Sequence, residues 1–589
     1  MSIQEFLQAS HVKWPLQWTA VEQKEQKQDN VQQNGAASTP SLKTTEKSFI
    51  LFALIFYSLI LIKDSWLGDD SFITLRTVDN FLHGYGLTWN TDERVQAYTH
   101  PLWMFMLSAV TFIVHRPYIA ALLLGFGVSF LAVALFAFRL AKSPLLAIAG
   151  VLCLTASKAF VDYSTSGLEN PMTHLLIVAF ALVFYQYRQH KYYVLWLSLL
   201  GMLMTLNRMD TVLLFVPALL YALWERRSWK TLRTMALAFI PVVLWELFSL
   251  FYYGALFPNT AYAKLNTSIS SLSLIKQGIG YLVSSFTFDP ILLVIMLIAV
   301  CMVWLAKDWR SIPLVLGMGL YLAYIVRIGG DFMAGRFLTP PFIMAVILLM
   351  RTIRPGLNLN VAFLLALALF FGLVTPFTRW SFDPVVLYGS GTDWRYDARF
   401  YDDRGITDER FFYASAVNVF RIKRGRSFPD YTLAHNGLQA RLNGDRVSVV
   451  SAIGMFGYEA GPNVHVVDQF ALADPLLARL PVVGDQWSAG QFVRPMPDGY
   501  IETFTVGANT ITDPDLAKYY DKLHLVISGP LFSWDRIVAI WNLNTGGYNS
   551  LLQHYEQRYN AAHHITSTPP EHSPGTLLPV WVRDAFYAA

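Results

Sequence analysis

Two adjacent carboxylates, Asp69 and Asp70, stand in Gly68-Asp69-Asp70-Ser71-Phe72, directly after an apolar run over residues 48–67. About twenty apolar residues suffice to cross a bilayer. The charges Lys63 and Asp64 lie near the far end of that run, where a lysine can reach the interface. Adjacent acids repel, so one holds its proton more tightly unless a cation or metal relieves the strain. That is the chemistry of a general base held at a membrane surface. The plainer reading is a pair of solvated acids opening a helix, which the unpaired N–H groups there favour. Arg76, Asp79, Asn80 and His83 follow on one helical face, Leu75, Val78 and Leu82 lie on the other, and Gly84 and Gly86 end the segment. This spacing predicts a short amphipathic helix lying on the membrane surface.

The elements that must position these acids follow from composition. The 589-residue chain is 54% hydrophobic and 15% aromatic but only 15% charged, with a mean hydropathy of +0.38. A soluble protein carries roughly 25% charged residues, so the chain is expected to be a polytopic helical membrane protein. The net charge of +4 is small and leaves no footprint for nucleic acid. Cys153 and Cys301 both fall in apolar runs, which excludes a disulfide framework in the polar part. The first apolar run begins too late for a cleavable leader, and no small-residue cleavage site follows it. Residues 1–47 are polar, with a low-complexity Glu/Gln/Lys stretch, and are expected to be a cytoplasmic tail.

Eleven transmembrane helices are predicted, over residues 48–67, 117–139, 144–161, 171–187, 192–207, 209–225, 231–252, 289–306, 312–327, 337–351 and 360–376. Lys and Arg cluster in 139–142, 188–191, 225–233, 307–310 and 351–354. These loops share the cytoplasmic side only if the apolar segment 99–115 does not cross. That segment is therefore read as a juxtamembrane or re-entrant helix within a first outer loop, 68–117. Leu272, Ile275, Ile279 and Leu282 predict a further surface helix. The same topology gathers the unusual polar residues outside: Asp69, Asp70, Glu169, Arg208, Asp210, Asn259, Lys264, Asp331 and Arg336. Each alone reads as a loop charge in water. Together, converging on one face of a membrane domain, they predict one polar cavity.

Residues 377–589 hold most of the charge and are expected to form an extracytoplasmic mixed α/β domain, a carbohydrate-binding or lid module. Val447-Ser448-Val449-Val450 and Val464-His465-Val466-Val467-Asp468 read as strands around Gly454 and Gly457. The glycine spacing is wrong for a dinucleotide site.

The acid pair, the Gly84-Tyr85-Gly86-Leu87 turn with Asn90, and Ala97-Tyr98-Thr99-His100-Pro101-Leu102-Trp103 resemble the GT-C superfamily of integral-membrane glycosyltransferases. The loops 166–170, 257–264 and 329–337 and the stretch 467–480 narrow the resemblance to the terminal β-(1→2) arabinofuranosyltransferases, over about residues 48–500. His100 departs from the pattern, where a small polar residue is expected. The resemblance implies a pentosyltransferase of cell-wall biogenesis in the plasma membrane, with its site on the outer side. Its donor would be a polyprenyl-phosphate sugar, decaprenyl-phosphoryl-arabinofuranose, and its acceptor the arabinan of arabinogalactan or lipoarabinomannan. It makes Asp69 the leading base, with Asp70 its alternate or tuning neighbour. It assigns Arg208, Lys264 and Arg336 to the donor phosphate, Arg76, His100 and Asn259 to sugar or acceptor, and Glu169, Asp210 and Asp331 to sugar hydroxyls or to orienting those cations. No cofactor is certain; two acids and a phosphate could hold a divalent cation. A mannosyl- or protein arabinosyltransferase of the same superfamily would share these motifs. A transporter would show internal repeats, and none is found.

Overall fold

The computed structural model describes residues 43–267, 269–355, 359–374, 402, 404–422, 429–482, 487 and 489–563. The polar stretch up to residue 42 and the expected domain boundary at 376/377 lie outside the described residues. The chain divides into two compact units, Met1–Phe49 and Ile50–Ala589. The first is described only over 43–49, which opens helix α1, Thr44–Lys63.

The second unit is predominantly helical. Its elements are α2 Asp69–Leu82, α3 Pro101–Val114, α4 Pro117–Leu135, α5 Pro144–Ala156, α6 Lys158–Asp162, α7 Asn170–Gln186, α8 Tyr193–Asn207 and α9 Val212–Arg226. Then come α10 Trp229–Ala238, α11 Ile240–Tyr252, α12 Asn259–Leu265, α13 Ser271–Phe288, α14 Ile291–Leu305, α15 Ile312–Arg327, α16 Thr339–Thr352 and α17 Leu359–Val374. The remainder comprises α18 Glu409–Val417, α19 Thr432–Asn443, β1 Val447–Val450, α20 Ile453–Ala460, β2 His465–Asp468, α21 Tyr500–Val506, α22 Pro514–Ser528, α23 Trp534–Thr545 and α24 Asn549–Ala562.

The apolar helices bear out a helical membrane protein, with a smaller number of full-length spans than predicted. Among the described residues three helices are long and apolar enough to cross: Thr44–Lys63, Pro117–Leu140 and Trp309–Arg327. Two bent pairs, α10 with α11 at 41° and α13 with α14 at 104°, raise this to five if each is one span. The predicted span over 231–252 is thus broken near Phe239, where Pro241 enters the first turn of α11; proline has no N–H to continue the ladder. Helix α3 has 14 residues, or about 21 Å at 1.5 Å per residue, well short of the hydrocarbon core. Along α13 the apolar stripe is turned outward, with Leu272 and Ile279 exposed while Gln277, Gly278, Tyr281 and Ser284 are buried. An outward apolar stripe is what a helix against lipid presents.

Helix α16 is buried on every side from Thr339 to Met350. A helix apolar all round belongs in a core, and α16 is the pillar against which α7, α14 and α5 pack. The 3₁₀ turn Arg336–Leu338 leads directly into it, so the position of Arg336 is set by a helix buried on every side.

The segment after residue 404 builds into the same unit. β1 and β2, the two strands that the sequence pattern predicts, pair in parallel, Val447 opposite His465 and Val450 opposite Asp468. The crossover a parallel pair requires is α20, which packs on α2. Gly454 and Gly457 serve that packing. A Cβ on Gly454 would lie 1.8 Å from the Asp69 carbonyl oxygen, and one on Gly457 would meet Trp89 and Arg76. Helix α2 is therefore enclosed rather than laid on a membrane surface: Leu75, Val78, Arg76 and Asn80 are all buried. On the face predicted polar, Arg76 receives the carboxy-terminal segment, while His83 stays exposed and Asp79 partly so.

Candidate active site

The two acids open α2 on different neighbours. Asp69 accepts N–H bonds from Gly454 (Oδ2, 2.8 Å) and Met455 (Oδ1, 2.7 Å). It thereby satisfies two of the unpaired donors at the start of α20. So the capping role weighed for the pair is real, but it is exerted across the fold on another helix. Burial pushes the Asp69 carboxyl up to about 6, against the Met455 N–H, with Asp70 adding to the rise. Asp70 turns the other way. Its side chain keeps 24% exposure and Oδ2 lies 3.9 Å from Nη1 of Arg336. Its pKa is raised by burial, restrained by Arg336 and Lys264, and raised further by Asp331 and Glu169.

Asp70 faces a cavity of about 330 Å³ that is also lined by His100, Arg208, Asp210, Lys264, Asp331 and Arg336. That volume is within the range of small-molecule sites. Apart from Lys264, in the last turn of α12, the polar residues come from the starts of helices or the loops before them.

Glu169 ties this group together from behind. Its carboxylate is fully buried and does not line the cavity. Oε1 accepts from Arg208 Nη1 at 2.7 Å and from Arg336 Nη2 at 3.4 Å, and Oε2 lies 3.3 Å from His100 Nδ1. Burial works to raise this carboxyl, but Arg336, His100 and Arg208 together hold it well below the usual range. Gly167 makes the turn that delivers it. With φ of +82° and its would-be Cβ 2.7 Å from Leu67 and Ser71, this position excludes a side chain. The turn is held by Trp103 Nε1 donating to the Gly167 carbonyl at 2.9 Å and Gly68 N donating to Ser166 O at 3.0 Å.

Both arginines are already neutralised. Arg208 Nε donates to both oxygens of Asp210, at 2.7 and 3.0 Å, and its guanidinium lies over Phe337 at 4.3 Å. Arg336 Nη1 lies 3.6 Å from Asp331 Oδ2. Lys264 differs: it lines the cavity beside Gly490, 3.2 Å from that residue's would-be Cβ. Among the described residues it has no hydrogen-bond or ion-pair partner. His100 is held neutral, its pKa lowered to about 4, chiefly by burial and then by Arg336 and Arg208, against Glu169. Its Nε2 is 2.8 Å from the Thr74 hydroxyl.

Two assignments made on the resemblance find their side chains committed elsewhere. Arg76 donates to the carbonyls of Trp89, Gly457 and Val464 at 2.9, 2.6 and 3.0 Å and to Asn90, and lies over the Trp89 ring. Asn259 Nδ2 donates to the carbonyls of Ala471, Leu472 and Asp474. Neither lines the cavity; Arg76 pins the carboxy-terminal segment to α2 and Asn259 pins it to α12.

Several lining residues were given no role from the sequence: Tyr98, Thr260 and Phe337, inside the stretches that carry the resemblance, and Tyr324 and Phe492. Glu409 was missed entirely. It borders a small space of about 30 Å³ with Asp69, Asp70 and Tyr413, and accepts from Thr407 Oγ1 at 3.0 Å. Burial, then Asp70 and Asp69, push its carboxyl well above the usual range. It arrives there because Thr407 pairs with the Phe332–Ala334 backbone, a contact no local pattern announces. Among the described residues no group of three or more His, Cys, Asp or Glu side chains is disposed to hold a metal ion.

Comparison with known proteins yields two relatives. A terminal β-(1→2)-arabinofuranosyltransferase of Mycobacterium tuberculosis is 27% identical over 503 residues, covering 70% of this chain and 78% of the relative. One of the same name from Corynebacterium glutamicum is 27% identical over 409 residues, covering 60% of this chain and 56% of the relative. No family model and no solved structure matches the chain.

Proposed function

We infer that this chain, a homologue of the terminal β-(1→2)-arabinofuranosyltransferases and hence a glycosyltransferase, moves an arabinofuranosyl group from a polyprenyl-phosphate donor, decaprenyl-phosphoryl-arabinofuranose, to a cell-wall arabinan. The acceptor is the arabinan of arabinogalactan or lipoarabinomannan. The reading is carried by one observation: a membrane-protein cavity in which Asp70 stands, beside the arginine-paired Asp210 and Asp331, among cations from three separate loops.

In this reading Asp70 takes the proton from the acceptor hydroxyl as that oxygen attacks the anomeric carbon. The C–O bond to phosphate breaks, and the polyprenyl phosphate leaves with the electron pair. Lys264, whose charge is not spent on a protein carboxylate, meets the phosphate. Arg336 and Arg208, their charge shared with Glu169, Asp331 and Asp210, offer oriented N–H donors. Asp210, Asp331 and His100 border the sugar, and Glu169 fixes both arginines. Asp69, with both oxygens occupied by α20, is assigned to positioning rather than proton transfer. This reverses the order the resemblance suggested. The apolar lining from Phe257, Leu265 and Ile328 suits the start of a prenyl chain. The test is an assay of purified protein with polyprenyl-phosphoryl-arabinose and a synthetic arabinan, followed by linkage analysis. Absence of a new arabinofuranosyl linkage overturns the reading.

Lys264→Ala is expected to weaken donor binding by about 1–3 kcal/mol, the scale of a charge-assisted hydrogen bond, with the acceptor KM unchanged. Titration with limiting donor measures this, and a normal donor KM removes Lys264 from the phosphate site.

The distribution of Lys and Arg supports an amino terminus in the cytoplasm and a cavity and carboxy-terminal segment outside. With Cys301 replaced by Ser, an impermeant thiol reagent on intact cells is expected to label Lys522→Cys and spare Arg226→Cys. Both positions are exposed. The reverse pattern inverts the orientation and moves the site to the cytoplasm.

A further inference from the structure

Helix α23 is built inside out for a solvated element. Its inner face, Arg536, Ala539 and Ile540, is buried, while the ridge directly opposite carries Trp534, Ile537, Val538 and Trp541. Trp534 and Trp541 are 74% and 70% exposed, and Phe532, just before the helix, is 85% exposed. A helix end-on to water presents polar residues on its outer ridge; here Asp535 and Asn542 are displaced to the flank.

The position of this ridge says what covers it. Arg536 Nη2 donates to the Tyr252 carbonyl at 2.9 Å and Asn544 Nδ2 to the Gly254 carbonyl at 2.8 Å, so α23 is fastened to the carboxyl end of α11. The Phe532 ring lies 5.4 Å from that of Phe251. Phe251 ends the outward apolar face of α11, on which Val243, Leu244 and Leu247 are also exposed. The aromatic ridge thus continues a lipid-type face beyond the end of its helix. Tryptophan and other aromatic side chains favour that boundary, with an apolar ring and one polar edge.

We propose that α23, with Phe532, is an interfacial anchor that seats the carboxy-terminal segment in the lipid headgroup region, in the leaflet toward which the 253–265 loop and its cavity face. The ridge offers no exposed Lys or Arg, so seating depends on apolar and aromatic burial and is indifferent to anionic lipid. The anchor holds the loop that carries Phe257 and Lys264 at a fixed height over the bilayer. This inference rests on membrane insertion and on the α11–α23 junction, independently of the transferase reading.

The experiment uses the full chain in nanodiscs, with Cys301 replaced by Ser and a bimane label at Ile537→Cys or, as reference, at Lys518→Cys on the polar face of α22. Lipids carrying a shallow spin label are expected to quench the label at 537 and leave that at 518 nearly unaffected, equally in neutral and anionic discs. Quenching at 537 no greater than at 518 overturns the proposal. So does protection at 537 that appears in detergent and grows with protein concentration, the signature of a second copy on the ridge. Quenching at 537 only in anionic discs overturns the stated basis of seating. Trp534→Ser with Trp541→Ser should abolish the quenching while the protein remains monodisperse and keeps its thermal midpoint.

Discussion

Asp70→Asn is expected to lower turnover by about 10²–10⁴-fold, the usual contribution of a positioned general base, with donor affinity and folded yield close to the parent. The carboxylate is partly exposed to the cavity and its nearest ionic neighbour is Arg336 at 3.9 Å, so little packing is lost with its charge. Asp69→Asn is expected to do the opposite. Gly454 and Met455 donate to different oxygens, so in the amide one of these N–H groups faces an NH2 donor and the start of α20 loses a charge-assisted partner. The cost is about 1–3 kcal/mol of stability, with turnover per folded molecule largely kept. The pair is read by turnover normalised to folded protein, alongside thermal unfolding. A large turnover loss at Asp69 with normal activity at Asp70 restores the order suggested by the resemblance and removes Asp70 as base. pH gives a second readout. A base acts only when deprotonated, so kcat/KM must rise with pH through the Asp70 pKa. Burial, reinforced by Asp331 and Glu169, raises that pKa against Arg336 and Lys264. The acid limb is therefore expected above the ordinary carboxylate range, and Asp70→Asn should erase it.

Glu169→Gln carries the largest expected loss of stability. The carboxylate is fully buried and is shared by Arg208 and Arg336, with His100 at 3.3 Å. Removing one partner of a buried ion pair leaves the others less compensated, at up to about 3–5 kcal/mol. Arg208 retains Asp210 and Arg336 retains Asp331, so both stay charged. The surviving folded protein is expected to bind donor at least as well as the parent, because two cations are less neutralised. Thermal unfolding in detergent together with donor titration decides this. An unchanged midpoint would show that the arginines do not depend on Glu169. The folded pKa of Glu169 lies below the unfolded value, so its contribution is present above the unfolded pKa. It is lost as pH falls through the folded one. Parent and variant should accordingly converge in stability only in strong acid.

Much of this was legible along the chain. Apolar periodicity and the shortage of charge identify a helical membrane protein. The motifs around Asp69–Asp70, Glu169, Lys264 and Arg336 point to the glycosyltransferases that the two relatives bear out. The convergence of Asp70, His100, Arg208, Asp210, Lys264, Asp331 and Arg336 on one cavity could be anticipated too, because odd polar residues at the ends of apolar segments have few other places to go. Helix breaks were not all legible: an apolar run reads alike whether it crosses or bends, as the 41° bend between α10 and α11, inside the predicted span 231–252, does.

Which residue does what was decided by the tertiary structure alone. Asp69 and Asp70 are chemically identical neighbours, and one step along a helix turns a side chain by about 100°. Only the arrival of Gly454 and Met455, nearly four hundred residues on, makes one a clamp and leaves the other facing the cavity. Arg76 and Asn259 carry the polarity of ligand-binding residues, yet their donors are consumed by carbonyls of the same distant segment. Residue type and spacing determine what chemistry a side chain can offer. Whether that capacity stays free or is spent on the fold depends on long-range contacts that have no local signature.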